Sequence, residues 1–160
     1  MMHNKRLFTI LMVIGLLAVL TTTAYATNSY HPATPAIVCT WKTVVPHSEG
    51  NPQPTFESFL TFMADGNMIE ANSTNPAQAA SAHGAWIGSG STYLVTFEAF
   101  SFDEQGKHIG KAQIHLSIKM DTPDHFNAAF TLDVIDLDGK VTKKAAYGTA
   151  ESTRMEVELP

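Results

Sequence analysis

Residues 107–120 read KHIGKAQIHLSIKM, and within them Ala112, Ile114, Leu116, Ile118 and Met120 alternate with Lys111, Gln113, His115, Ser117 and Lys119. Successive side chains point to opposite faces in an extended chain, so this period of two marks a β-strand with one dry face and one wet face. His115 falls on the wet face and reads as a surface histidine.

The same grammar repeats on both sides. Upstream, STYLVTFEAFSFD (91–103) leads into the turn Asp103-Glu104-Gln105-Gly106; downstream, Thr122-Pro123-Asp124 turns the chain into HFNAAFTLDVID. Asp138-Gly139 then supplies a hairpin signal before VTKKAAYGTAESTRMEVEL. Nearer the N-terminus, AIVCTWKTVV is broken by the proline-rich PHSEGNPQP, and FESFLTFM and NMIEANS flank Ala64-Asp65-Gly66. Residues 74–82, TNPAQAASA, are too rich in small side chains for a strand and have room for a short helical turn; HGAWIGSG restarts the β pattern. The reading is all-β, with eight strands and no substantial helix. Long sequential strands joined by tight turns must curl and close, because an open sheet of that size leaves edges that pair with other chains. An eight-stranded up-and-down antiparallel barrel is therefore expected, with a two-sheet β-sandwich as the alternative.

The first 26 residues, MMHNKRLFTILMVIGLLAVLTTTAYA, have a basic start (Lys5, Arg6), an apolar stretch from Leu7 to Leu20 and a small-residue cleavage pattern at Ala24-Tyr25-Ala26. That stretch is shorter than the roughly 20 residues a spanning helix needs, so it reads as a cleaved secretory signal peptide and not as an anchor. Residues 27–36 are expected to form a flexible arm and residues 37–160 a single barrel domain, exported to a periplasmic or extracellular space. No integral membrane segment is expected after cleavage.

The formal charge of the chain is −5 and becomes −7 without Lys5 and Arg6, which excludes nucleic acid and anionic lipid as electrostatic partners. The single cysteine, Cys39, cannot make an intramolecular disulfide and reads as a small buried residue. No glycine-rich phosphate loop and no G-x-S-x-G elbow is present. Histidines 31, 47, 83, 108, 115 and 125 have no local zinc spacing, so no metal is expected, and no cofactor is implied. Asp136-Leu137-Asp138-Gly139 lacks the later ligands of a calcium loop and reads as a hairpin turn; Asn72-Ser73-Thr74 fits a glycosylation acceptor pattern.

STYLVTFEAFSFD is apolar on both faces, Tyr93, Val95, Phe97 and Ala99 on one and Leu94, Thr96, Phe100 and Phe102 on the other, with Glu98 as the odd member. If Glu98 faces inward, it is a candidate polar anchor, acid or base; if outward, it pairs with a lysine. Glu70 carries the same ambiguity beside a polar turn. In SAHGAW (81–86), His83 and Trp86 fall on opposite faces of a regular strand, which makes His83 a rim residue. The candidate ligand contacts are Trp41, Glu70, His83, Trp86, Glu98, Phe100 and Phe102.

With Cys39-Thr40-Trp41 in the first strand, the chain resembles the lipocalin and wider calycin group, whose barrels begin with G-x-W; Cys39 stands where that glycine would be. The run from Phe59 to Gly110 is similar to small exported bacterial calycin-like proteins. The likeness is carried by Leu60–Phe62, Asp65, Gly66, Ile69, Glu70, Asn72 and Ser73, by His83, Gly84 and Trp86, and by Thr96, Phe97, Phe100, Phe102, Asp103 and Gly106. The resemblance implies a lipocalin-like barrel and export, and no assigned reaction. The expected function is binding of a small, mainly apolar molecule. The alternatives are a cofactor-free isomerase or cyclase using Glu98 or His83, and a packed barrel acting as a protein-interaction module; haem held through a histidine is a variant of the container.

Overall fold

The structure is a computed structural model that describes residues 34–74 and 80–159. Eight strands follow in chain order: β1 (Thr40–Val45), β2 (Phe56–Phe62), β3 (Asn67–Asn72), β4 (Ala82–Ser89), β5 (Thr92–Phe102), β6 (His108–Thr122), β7 (His125–Asp136) and β8 (Val141–Arg154). Each pairs antiparallel with its neighbour in sequence, and β1 pairs with β8 to close the barrel. The closing ladder runs from Trp41 opposite Arg154 to Val44 opposite Glu151, so among the described residues there is no free sheet edge and no pair of separate sheets. The up-and-down barrel expected from strands and turns is the fold observed, and the sandwich is not. No helix forms among the described residues, and none there is long and apolar enough to cross a membrane.

Alternation sorts side chains into the barrel as the pattern of 107–120 required. Leu116, Ile118 and Met120 are buried, whereas Ser117 and Lys119 are exposed. The last strand stops sooner than its sequence suggests. The amide of Met155 donates to the Thr40 carbonyl, 2.9 Å, as the final rung, and β1 offers no partner beyond Thr40, so Val157 and Leu159 stay exposed. The short helical turn considered for residues 74–82 falls largely on residues 75–79, which lie outside the described residues, as does the signal peptide.

Side-chain size divides the interior into two halves. At the end carrying the β2–β3 and β4–β5 turns, Trp41, Phe62, Met68, Trp86, Tyr93, Ile118 and Phe126 fill the barrel. Trp41 stacks obliquely on Phe126 at 4.7 Å between centroids, and Trp86 meets Phe62 and Tyr93 edge-on at 6.3 and 5.7 Å. Every polar tip in this plug reaches backbone. Trp41 Nε1 donates to the Ile37 carbonyl, Trp86 Nε1 to those of Met63 and Asn67, and the Tyr93 hydroxyl to that of Gly90. Arg154 caps the plug with its guanidinium carbon 4.8 Å from the Trp41 ring centre, while its Nη2 donates to the Ala36 carbonyl at 2.7 Å. Gly84 lies against the backbone of β5. A Cβ there would fall on the Thr96 carbonyl oxygen and on Phe97 Cβ, so the backbone contact requires glycine.

Candidate ligand cavity

Toward the opposite end the inward positions become small: Ala99 on β5, Ala112 on β6, Ala128 on β7, and Ala146, Gly148 and Ala150 on β8. An eight-stranded barrel is just wide enough for ordinary side chains to fill, so a run of alanines leaves space. The result is a cavity of about 710 Å³ above the aromatic plug. Its mouth is bordered by Pro52–Thr55 from the β1–β2 loop, by Ser73 and Thr74 after β3, by Phe100 and Ser101 on β5 and by Ala145 on β8.

The walls differ in chemistry. Phe97, Ile114, Leu116, Phe130 and Leu132 make the β5–β7 side apolar, and Gly148 leaves the room into which the Phe130 ring projects. The β1–β3 side carries Thr43, Ser58, Glu70 and Asn72. Thr43 Oγ1 shares a hydrogen bond of 2.8 Å with Ser152 Oγ, and both are buried. Glu70 is 4% exposed and turned inward, because Met68, Glu70 and Asn72 occupy the same face of β3. Ser58 Oγ and Asn72 Nδ2 donate to the same carboxylate oxygen, Oε1, at 2.8 and 2.9 Å. Burial pushes the Glu70 carboxyl above its ordinary value, and the hydrogen bonds from Asn72 and Ser58 oppose that rise. Among the described residues it is the one ionisable side chain on the cavity wall.

The residues singled out from sequence are dispersed. Glu70 lines the cavity, and Phe100 borders its mouth with its side chain half exposed on the outer face. Trp41 and Trp86 point inward but lie in the plug, where their indole nitrogens are engaged with backbone; they do not reach the cavity wall. His83, second in β4, is exposed on the outer face of that strand, opposite Ile69 and Glu98, because the face holding Trp86 is the buried one, so its side chain points away from the cavity. Glu98 is also outward. Its carboxylate accepts from Lys111 Nζ at 2.6 Å and Gln113 Nε2 at 2.8 Å, and Lys111 first of all holds it below the usual carboxylate range. Phe102 turns outward and packs on the His108 ring at 5.7 Å, with Phe100 on the same ring at 5.4 Å. The doubly apolar look of β5 thus arises from one inward row, shared between plug and cavity, and one exterior aromatic cluster.

Ser58, Thr43, Phe130 and the alanine stripe were not singled out from sequence, and Asn72 only as a glycosylation acceptor and a point of family likeness, whereas its side-chain nitrogen here is turned inward to Glu70. The signal for the stripe was there: Ala146-x-Gly148-x-Ala150-x-Ser152 places only small side chains on one face of a long strand. Elsewhere on the exterior, His125 bridges Asp121 (2.9 Å) and Glu151 (3.0 Å), and the Glu151 hydrogen bond first of all raises its pKa. Among the described residues no three His, Cys, Asp or Glu side chains gather as a metal site requires. No family model, no curated protein and no solved structure matches the chain.

Proposed function

We propose that the protein is an exported container that binds a small, mainly apolar molecule inside the barrel. The observation that carries this reading is the cavity of about 710 Å³, with an apolar wall of Phe97, Ile114, Leu116, Phe130 and Leu132 facing one compact polar cluster. Such a volume lies in the range of ordinary small-molecule sites, roughly 300–1,000 Å³. Export rests on the signal-like character of residues 1–26, and the likeness to small exported calycin-like proteins supports the same location.

Catalysis by Glu98 or His83 is disfavoured, since both side chains are on the outer wall. Expression of the full 160-residue sequence in an exporting host, followed by native mass spectrometry and titration with an apolar fluorophore such as N-phenyl-1-naphthylamine, tests the container. The expected result is one bound molecule per chain and enhanced emission that a second apolar compound displaces. Absence of both a copurifying adduct and any uptake of the fluorophore overturns the reading.

A further inference from the structure

The cavity's polar cluster has a direction, and the direction names a ligand class. Asn72 Oδ1 accepts the backbone N–H of Thr74 at 3.1 Å, and that group can only donate, so the amide orientation of Asn72 is fixed and Nδ2 must face Glu70. Ser58 donates to the same oxygen. Both donors thus hold Oε1 and leave Oε2 as the free atom of the group, whether it carries the negative charge or the proton. No described residue donates to the second oxygen, Oε2. Among the described residues no buried side-chain nitrogen or oxygen is left enclosed without a partner, and Oε2 belongs to the part of Glu70 that lines the cavity. Glu70 is otherwise faced by Leu60 across β2 and Ala82 across β4, while Glu57 and His83 on those strands point outward. No cation lines the cavity among the described residues.

A carboxylate in an apolar cavity with every neighbouring donor converging on one oxygen lacks a counter-charge, and a buried charge is tolerated when it is paired. We infer that the bound molecule is a compact apolar amine, whose ammonium group donates to Glu70 Oε2 while its hydrocarbon body rests on Phe97, Ile114 and Phe130. This rests on the container reading and deepens it. Glu70 sits on the side wall partway down the barrel, above Met68 and below Asn72, so the polar group of the ligand meets the wall laterally. A rigid, broad molecule satisfies that placement better than a straight chain with its head at the mouth. A carboxylic acid of the same shape would set two acidic groups against each other, and an alcohol supplies the donor without the charge. Burial disfavours the charged form of this carboxyl, and a bound ammonium group would offset that cost.

The test uses three isosteric probes, 1-aminoadamantane, 1-adamantanol and adamantane-1-carboxylate, titrated calorimetrically into the purified protein at neutral pH. The expected order is amine, alcohol, carboxylate, with the amine at least tenfold tighter than the carboxylate. Glu70→Gln is expected to lower the amine-to-alcohol affinity ratio at least tenfold. In the unaltered protein, amine affinity should fall as the pH is lowered through the folded-state pKa of Glu70, while that of the alcohol stays level, since the ammonium itself remains charged. This arm decides the matter if the variant does not fold. A carboxylate that binds as tightly as the amine, or an amine affinity indifferent to pH, overturns the amine assignment and leaves the container standing if the alcohol binds. Failure of all three probes, together with exclusion of the apolar fluorophore, overturns both.

Discussion

Glu70 shows how a residue can be legible for type while its face stays open: as a candidate ligand contact it could turn inward or outward, and the structure turns it inward. Beside a polar turn, a glutamate is normally solvated, yet β3 counts Met68, Glu70 and Asn72 onto its inner face and β2 supplies Ser58 opposite Asn72. Its folded-state pKa lies above the unfolded one, so for this group the native state is most favoured below the unfolded pKa and loses stability as the pH rises through the folded value. Glutamine keeps an oxygen for Ser58 and Asn72 without the charge. Glu70→Gln should therefore match the parent near pH 4 and melt higher by roughly 2–5 °C at pH 8, as read by thermal denaturation across that range. A difference that shrinks as pH rises would contradict the inward, desolvated carboxyl. Glu98, its counterpart on β5, has the lysine partner that Glu70 lacks.

Strands carried most of the information that the sequence held about the fold. The alternation in β6, the Asp-Gly turns and the return of a strand pattern after each turn located all eight elements, because strand pairing is set by local pattern when every connection is a hairpin. Which face of each strand turns inward was legible where one face was polar, as in β6, and illegible in β5, where both faces are apolar. There the decision comes from the neighbours: Lys111 and Gln113 on β6 fix Glu98, and with it Phe100 and Phe102, to the outside. The floor of the cavity was hidden for another reason, since Trp41 and Trp86 are large enough to suggest a ligand shelf but pack against Phe126, Phe62 and Tyr93. The β4–β5 contact adds a prediction at this scale. Gly84→Ala forces the strands apart at Thr96 and Phe97 and should destabilise by about 1–3 kcal/mol, seen as a lower urea midpoint with an unchanged slope.

Taken whole, the barrel separates stability from capacity along its axis. Phe126, fully buried in the plug against Trp41, should lose about 3–5 kcal/mol on replacement by alanine. Phe130, four residues further along the same face and bordering open space, should lose less than half of that and should admit broader probes than the parent does. Urea denaturation and probe titration of the two variants check the division; equal losses would refute it. The β1–β8 ladder has a consequence in time. The seven other ladders join strands adjacent in sequence, and each can form as a local hairpin, whereas Trp41 finds Arg154 only after the whole intervening chain has been gathered. Closure is then the slow event of folding, since long-range pairing requires the loop entropy to be lost before its contacts form. Until it happens, the nascent sheet has two open edges, so the brief interval before the first and last strands meet is when this chain is most exposed to pairing with another copy of itself.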